Sequence, residues 1–382
     1  MADGDVGGFA DGKFAPVREK FEQNLADGTD IGASFCVTKD GETVIDLWGG
    51  WADEARTRPW EKDTIVNVYS TTKTMTALTA LWLADQGRLD FDAPVANYWP
   101  EFAANGKEAI RVSHLMSHSA GLSGWTAPMD KHDLYDWDKA TRLLAAQAPL
   151  WEPGTAAGYH AITQGYLVGE VIRRIDGRSI GTVFREEIAG PLGADFHIGL
   201  PATEDDRVAD LKPPAAGLSD GSQTEIQKTT FNNPPVDVTE TYTRAWRGAE
   251  IPAAGGTGNA RSVATIHAIL ANGGVAGGKR FLSEAGCRRA LDLQIEGTDL
   301  ILGIPVRYGM GFGLAGPAMP MLNEQSCFWG GYGGSVVLID MASRTTIAYA
   351  MNRMEGTTTG DMRAGILAAL AAQGLAAQGL AG

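Results

Sequence analysis

Ser70 and Lys73 stand three residues apart in the stretch "NVYSTTKTMTALTALWLADQG", Asn67 to Gly87, where an apolar, helix-like pattern begins. Positions three apart share one face of a helix, so the hydroxyl and the amine can meet. A serine hydroxyl becomes a strong nucleophile only when a neighbouring base takes its proton, and an uncharged amine is such a base. The positive end of the helix dipole and burial away from water both lower a lysine pKa at a helix start. The competing reading makes Ser70 a helix cap and Lys73 a solvated side chain. Ser-x-x-Lys occurs nowhere else in the chain.

Other constellations compete for the chemistry. Ser219 lies in "GLSDG", Gly217 to Gly221, which satisfies G-x-S-x-G, a motif that works only on a sharp strand-to-helix turn. It follows "KPPAAG" with no apolar strand before it and no periodic helix after it, so Ser219 reads as a loop residue. A Ser-His-Asp triad could draw on His114, His118, His132, His197 or His267. His114 and His118 are four apart, but no glutamate lies between them in an H-E-x-x-H arrangement and no third metal ligand is evident. His118 in "SHSAGL" therefore reads as ordering a loop, and His267 as part of a helical pattern. "GGFADGK" lacks the spacing and the preceding strand of a phosphate loop. No metal and no cofactor is expected.

Elements at both ends of the chain must position Ser70. Phe14, Val17, Phe21 and Leu25 recur at helical spacing, with Gly28 as a stop. Ile31, Ala33, Phe35 and Val37 then alternate at period two, followed by Asp40-Gly41 and "TVIDLW", which predicts a β-hairpin. Met75, Leu78 and Trp82 predict an apolar stripe on the helix that carries Lys73, ended by Gly87. Near the C-terminus "SVVLIDMASRTTIAYAM" reads strand, turn, strand, with Ile347, Tyr349 and Met351 on one face. "GDMRAGILAALAAQG" reads as a last helix running into the duplication "LAAQGLAAQGLAG", taken as a fraying tail. Strands at both ends with helices between predict one sheet built from both termini. Residues 1–75 and 255–382 would form an α/β sheet domain, and 76–254 a mainly helical domain with the active site at their interface.

With 382 residues and a 44% apolar fraction, the chain suits about two domains with a sizeable core. A net charge of -14 argues against nucleic acid or an anionic membrane as partner, since both are polyanions. "MADGDVGGFADGKFAPVREKF" lacks the layout of a secretory signal, and no run of about 18 apolar residues is present. Cys36, Cys287 and Cys327 are too few and too scattered for a disulfide framework, so reduced thiols in the cytoplasm are expected. Trp125, Trp137 and Trp246 are candidates for lining a pocket or a subunit contact.

The stretch "VYSTTKTMTALTALWLADQGRLDFDAPVANYWPEF" followed by "IRVSHLMSHSAGL" resembles the serine β-lactamase/penicillin-binding-protein superfamily. Within it the chain is most similar to the class C β-lactamase-like esterases known as family VIII carboxylesterases. "WEPGTAAGYHAITQGYLVGEVI", "AGGTGNARSVATIHAIL" and "FWGGYGGS" continue the resemblance in order. It implies an α/β (α+β) fold, an antiparallel sheet flanked by helices plus a mainly helical domain. It implies Ser70 as the acylated nucleophile and Lys73 as its proton acceptor. It also implies Tyr159 as the residue that shares the proton and protonates the leaving group. From the residues alone, Tyr159 before a helix marked by Val168, Val171, Ile172 and Ile175 reads as packing with a tethered hydroxyl. A phenol beside an ammonium would lean toward its anion. The resemblance places the oxyanion-binding N–H groups on Ser70 and Tyr332.

The pattern also departs from the lactamases. Their Lys-Thr/Ser-Gly triplet is replaced by Trp329-Gly330-Gly331, which removes a charge and a hydroxyl that help hold a carboxylate. Their Tyr-x-Asn element reads Tyr159-His160-Ala161, which removes an amide that binds an acylamido arm. Trp329, Gly330 and Gly331 are expected at the substrate, and His160 is a candidate substrate contact or a partly exposed loop histidine. The substrate implied is a small-molecule neutral ester with a short or medium acyl chain, cleaved through an acyl-serine. The alternatives with the same residues are a β-lactamase, a D-amino-acid peptidase, an amidase for linear oligomers, or a penicillin-binding protein that acylates without turnover.

Overall fold

The computed structural model describes residues 5–215, 223–316, 319 and 323–376. Helix α1 (Ala15–Ala26) opens with a proline in its first turn and buries Val17 and Phe21. Strands β2 (Gly32–Lys39) and β3 (Glu42–Gly50) follow, joined through Asp40 and Gly41, both at positive φ (53° and 85°). That pair of left-handed residues makes the two-residue turn whose twist matches a hairpin. β3 also pairs with β1 (Gly7–Phe9) on its outer side.

The remaining strands of the main sheet come from the other end of the chain. They are β10 (Ile295–Thr298), β11 (Pro305–Tyr308), β12 (Gly313–Leu314), β13 (Ser326–Gly330), β14 (Val336–Asp340) and β15 (Thr345–Met351). The strand order is β1-β3-β2-β15-β14-β13-β12-β11-β10, antiparallel throughout. The two termini meet where β2 pairs with β15, from Lys39 opposite Thr345 to Ala33 opposite Met351.

Helices cover both faces. Tyr349 points toward the last helix, Met362–Ala376, and the segment after α1: its hydroxyl donates to Asp30 (2.6 Å) and the Arg363 guanidinium lies over its ring. The neighbouring Ala350 points the other way, alongside Ser34, whose Oγ accepts from the Ala260 amide at the start of helix Ala260–Ala271. The expected frayed tail is in part a packed element. Leu367, Ala371 and Gly374 are buried, and a β-carbon on Gly374 would stand 2.6 Å from the Phe14 ring. The second copy of the duplication begins at residue 375, and from residue 377 onward it lies outside the described residues.

Helix α2 (Thr72–Asp85), entered through a 3-10 turn at Tyr69–Thr71, is buried on every side from Thr72 to Leu83. The expected single stripe of Met75, Leu78 and Trp82 therefore understates its burial. Its threonines can enter the core because their hydroxyls bond carbonyls: Thr74 to Thr71, Thr79 to Met75 and Thr76 to Pro252, each at 2.8 Å. A domain cut at residue 75 falls inside this helix.

Between residues 76 and 254 the described chain is mainly helical. It adds two short strands, β5 (Phe196–His197) and β6 (Val208–Ala209), which the sequence pattern does not show. With β4 (Ile65–Asn67) and β7 (Thr257–Gly258) they form a small second sheet, in which β4 and β6 are parallel. A two-stranded ribbon, β8 (Val275–Ala276) and β9 (Lys279–Arg280), completes the strands among the described residues.

Arg363 locks the C-terminal helix to the rest. Its guanidinium donates to Asp30 (2.9 Å), to the Arg353 carbonyl (2.8 Å) and to the Gly333 carbonyl (3.0 Å), with Asp30 fully buried. Arg363→Met would leave the Asp30 carboxylate buried without its cation, so a loss of about 3–5 kcal/mol in urea-unfolding stability is expected. An unchanged midpoint would show that this network contributes nothing net.

Candidate active site

Ser70 sits where β4 turns into α2. The turn is strained: Tyr69 has φ 43°, a left-handed conformation that a bulky residue rarely adopts and that costs on the order of 1–3 kcal/mol. It is held by the Tyr69 amide donating to Asn67 Oδ1 (3.1 Å) and by Asn67 Nδ2 donating to the Ala254 carbonyl (3.1 Å). From the sheet side, Ser335 Oγ donates to the Val68 carbonyl (2.9 Å) and lies 3.0 Å from Thr71 Oγ1.

Lys73 is fully buried. Its Nζ lies 3.0 Å from Ser70 Oγ, 2.7 Å from the Ala161 carbonyl and 2.9 Å from the Ala253 carbonyl, and none of these partners is a carboxylate. Burial holds its pKa well below the usual lysine range. A neutral amine has two N–H groups and one lone pair. The two carbonyls can only accept, so they take both N–H groups, and the lone pair is left facing the Ser70 hydroxyl.

The Tyr159 hydroxyl makes a short hydrogen bond to Ser70 Oγ, and Lys73 Nζ lies 4.9 Å from the centre of its ring. Burial raises the phenol pKa far above its ordinary value. The Ser70 hydrogen bond pulls the other way, and the Asp299 charge adds to the rise. This works against the expected lean toward phenolate: burial lowers the Lys73 pKa and raises that of Tyr159, so a dry site favours the neutral form of both groups. The serine hydroxyl thus lies between an amine and a phenol, each in surroundings that favour its uncharged form.

Three consecutive amides fix Tyr159. Those of Gly158 and His160 donate to the carbonyl (2.9 Å) and Nδ1 (3.1 Å) of His118, and that of Tyr159 donates to Asp299 Oδ1 (3.0 Å). His118, buried at φ 58°, thus orders the loop. His160 is fully buried rather than partly exposed. Its Nδ1 donates to the Gly158 carbonyl (2.6 Å), its Nε2 accepts from the Leu122 amide (3.0 Å), and burial pushes its pKa down to about 3. With both ring nitrogens occupied by backbone, it braces the loop and does not face the cavity.

Trp329 lies one residue before the end of β13 with its indole stacked on His118, ring centres 5.2 Å apart, and close to Tyr308 and Tyr159. Gly331 explains the glycine that follows. A β-carbon there would stand 2.1 Å from the Val68 carbonyl oxygen, so the sheet edge can lie against the nucleophile turn only without a side chain. A β-carbon on Gly330 would meet the backbone of Thr358–Gly360 at 2.7 Å. Among the described residues, the amides of Gly331, Gly333 and Gly334 bond Ser335, Thr357 and Gly331 carbonyls. Those of Ser70 and Tyr332 have no acceptor among the described residues.

A cavity of about 240 Å³ opens over Ser70, lined by Tyr159, Ile162, Phe231, Trp246 and Tyr332 among others. None of the described residues lining it is charged. A narrower apolar slot of about 40 Å³ continues past Tyr159 between Leu302, Ile304, Val306 and Trp329. Of the three tryptophans singled out in the sequence, Trp246 lines the cavity. Trp125 and Trp137 pack with Tyr166 in the helical region. Asp299 and the slot residues Leu302, Ile304 and Val306 went unnoticed in the sequence, where "TDLILG" offers only the turn preference of an aspartate as a signal.

The rival constellations do not assemble around Ser70, whose hydroxyl is bonded to Lys73 and Tyr159 and to no histidine. His197 pairs with Asp195 (3.0 Å), and buried His267 faces the Val263 carbonyl (2.8 Å). His114 lies beside Arg111, and His132 beside Tyr135. Among the described residues no three His, Cys, Asp or Glu side chains cluster as a metal site requires. Ser219 lies outside the described residues.

The Beta-lactamase family model matches residues 17–372, and the chain belongs to that family. It is 35% identical to the esterase/beta-lactamase LipL of Mycobacterium tuberculosis (strain ATCC 25618 / H37Rv) over 365 residues, 91% of this chain and 83% of that one. Its fold is similar to the crystal structure of a family VIII carboxylesterase (TM-score 0.92, 42% identity, 97% of this chain and 100% of that one). It is equally similar to a penicillin-binding protein homolog from Caulobacter crescentus (TM-score 0.92, 40% identity, 97% and 100%).

Proposed function

We propose that this protein is a carboxylesterase that cleaves neutral esters with short-to-medium acyl chains through an acyl-Ser70 intermediate. The observation that carries the reading is Ser70 Oγ held between the lone pair of Lys73 and the hydroxyl of Tyr159. Lys73 takes the Ser70 proton as Oγ attacks the ester carbonyl, and the free amides of Ser70 and Tyr332 receive the oxyanion. As the intermediate collapses, Tyr159 gives its proton to the departing alkoxide and recovers one from Lys73. Water then attacks the acyl-serine and the same protons run in reverse. The names of the relatives, esterase/beta-lactamase LipL and a family VIII carboxylesterase, support the reaction class.

The uncharged cavity over Ser70 and the Trp329-Gly330-Gly331 triplet support a neutral substrate, since an anionic arm held in that cavity would lose its water and gain no cation there. The expected result is a kcat/KM for p-nitrophenyl butyrate at least about 10-fold above that for the p-nitrophenyl hemiester of succinate, worth about 1.4 kcal/mol. Equal values would remove the argument. The penicillin-binding protein homolog keeps a second reading in view. Turnover of a chromogenic cephalosporin at ester-like rates would favour a β-lactamase, and a lasting Ser70 adduct without turnover an acyl-accepting sensor. Three separate buried free thiols suit a reducing compartment, and we place the protein in the cytoplasm. Among the described residues no helix is long and apolar enough to cross a membrane.

A further inference from the structure

Asp299 is fully buried at the tip of the β10–β11 hairpin, and among the described residues no cation pairs with it. A carboxylate in that position persists only if strong donors replace its water. It has four. Oδ1 accepts from the amides of Ile301 (2.8 Å), Leu302 (2.9 Å) and Tyr159 (3.0 Å), and Oδ2 accepts from the Tyr308 hydroxyl (3.0 Å).

The first two amides are what a carboxylate capping its own turn takes. The third is not needed for the turn. It comes from a residue 140 positions earlier in the chain, on the loop before helix Thr163–Asp176. A second bond joins the same two segments in the opposite sense, from the Leu300 amide to the Ala157 carbonyl (2.9 Å). The turn that Asp299 closes also supplies Leu302 and Ile304 to the apolar slot beside the phenol.

We propose that Asp299 is a positioning residue for ester cleavage, fixing the Tyr159 backbone and the slot wall as one unit so that the phenol stands ready to protonate the leaving alcohol. This rests on the esterase reading above. In the step concerned, the bond from the carbonyl carbon to the leaving oxygen breaks, the Tyr159 O–H bond breaks, and a new O–H bond forms on the alcohol. Proton transfer needs the donor within a few tenths of an ångström of its place. Any shift of the Tyr159 amide is carried out to a hydroxyl at the far end of a rigid ring.

The test uses two esters with one acyl group. p-Nitrophenyl butyrate releases a stable phenolate that needs no proton, whereas ethyl butyrate releases an alkoxide that does. In Asp299→Ala, kcat/KM on ethyl butyrate is expected to fall about 10²-fold, and on p-nitrophenyl butyrate less than about 10-fold. Asp299→Glu keeps the charge and displaces the carboxylate by one methylene. It carries the same expected bias if Asp299→Ala does not fold. A merely structural residue lowers both esters alike, and equal loss or no loss in the folded variant overturns the assignment. Tyr159→Phe supplies the reference bias. If that variant and Ser70→Ala keep full turnover, the esterase reading itself fails; if they lose it while the Asp299 variants show no bias, only the positioning role does.

Discussion

Replacing Ser70 with alanine is expected to lower ester turnover by on the order of 10⁴-fold or more while leaving the fold intact. The variant keeps the β-carbon and removes one oxygen, the atom on which the Lys73 lone pair and the Tyr159 hydroxyl converge. No second hydroxyl takes its place: Thr72 Oγ1 is bonded to the Tyr69 carbonyl and the Gly256 amide, and Thr71 Oγ1 to Ser335. Acid-quenched wild-type protein should carry one acyl mass on the peptide containing Ser70, and the variant none. Ser219→Ala should retain wild-type turnover. Should Ser219→Ala be the inactive one, the active site moves to the Gly217–Gly221 segment and Ser70 is not the nucleophile.

Lys73→Met should be nearly as damaging, with kcat/KM down by roughly 10²–10⁴-fold, the range of a lost general base. It also carries a signature in stability. Burial lowers the pKa of this amine in the folded protein, whereas in the unfolded chain it binds a proton up to a pKa of about 10.4. Between those two values the unfolded chain holds one proton more, so raising the pH favours the folded state. The slope is up to about 1.4 kcal/mol per pH unit. The contribution is complete above the unfolded value and is lost as the pH falls toward the depressed folded one. Wild type should therefore gain urea stability relative to Lys73→Met between pH 7 and pH 10. A constant difference over that interval would mean that Lys73 is charged in the fold and is no base. Wild-type kcat/KM should likewise decline on the acid side as Lys73 becomes protonated.

What the sequence made legible was local or borrowed. The β2–β3 hairpin is visible because Asp40-Gly41 interrupts an alternating pattern, and α1 because Val17 and Phe21 face one way. Ser70 and Lys73 are visible because a three-residue spacing on a helix is itself a geometric statement. Tyr159 needed the family resemblance, since no spacing relates it to Ser70, 89 positions away. The all-round burial of α2 was hidden because threonine looks polar until its hydroxyl finds a helix carbonyl. His160 looked like a loop residue because the loop's own buried partners, His118 and Leu122, are distant in sequence. Strands of two residues such as β5 and β6 carry no period to detect. Asp299 illustrates the general limit: a residue whose importance lies in one contact across the molecule has no local mark.

The pairing of β2 with β15 has a consequence for how the molecule is made. These two strands sit next to each other at the centre of the sheet, yet are roughly 300 residues apart in the chain, which a ribosome adding about 5–20 residues per second needs roughly 15–60 s to span. Throughout that interval the growing chain presents one side of an apolar hairpin with its backbone donors and acceptors unmatched. Completion of the sheet is thus among the last events of biosynthesis. A message cut short before Thr345 yields a polypeptide that carries Ser70, Tyr159 and Tyr332 but lacks the strand that joins β2 to β14.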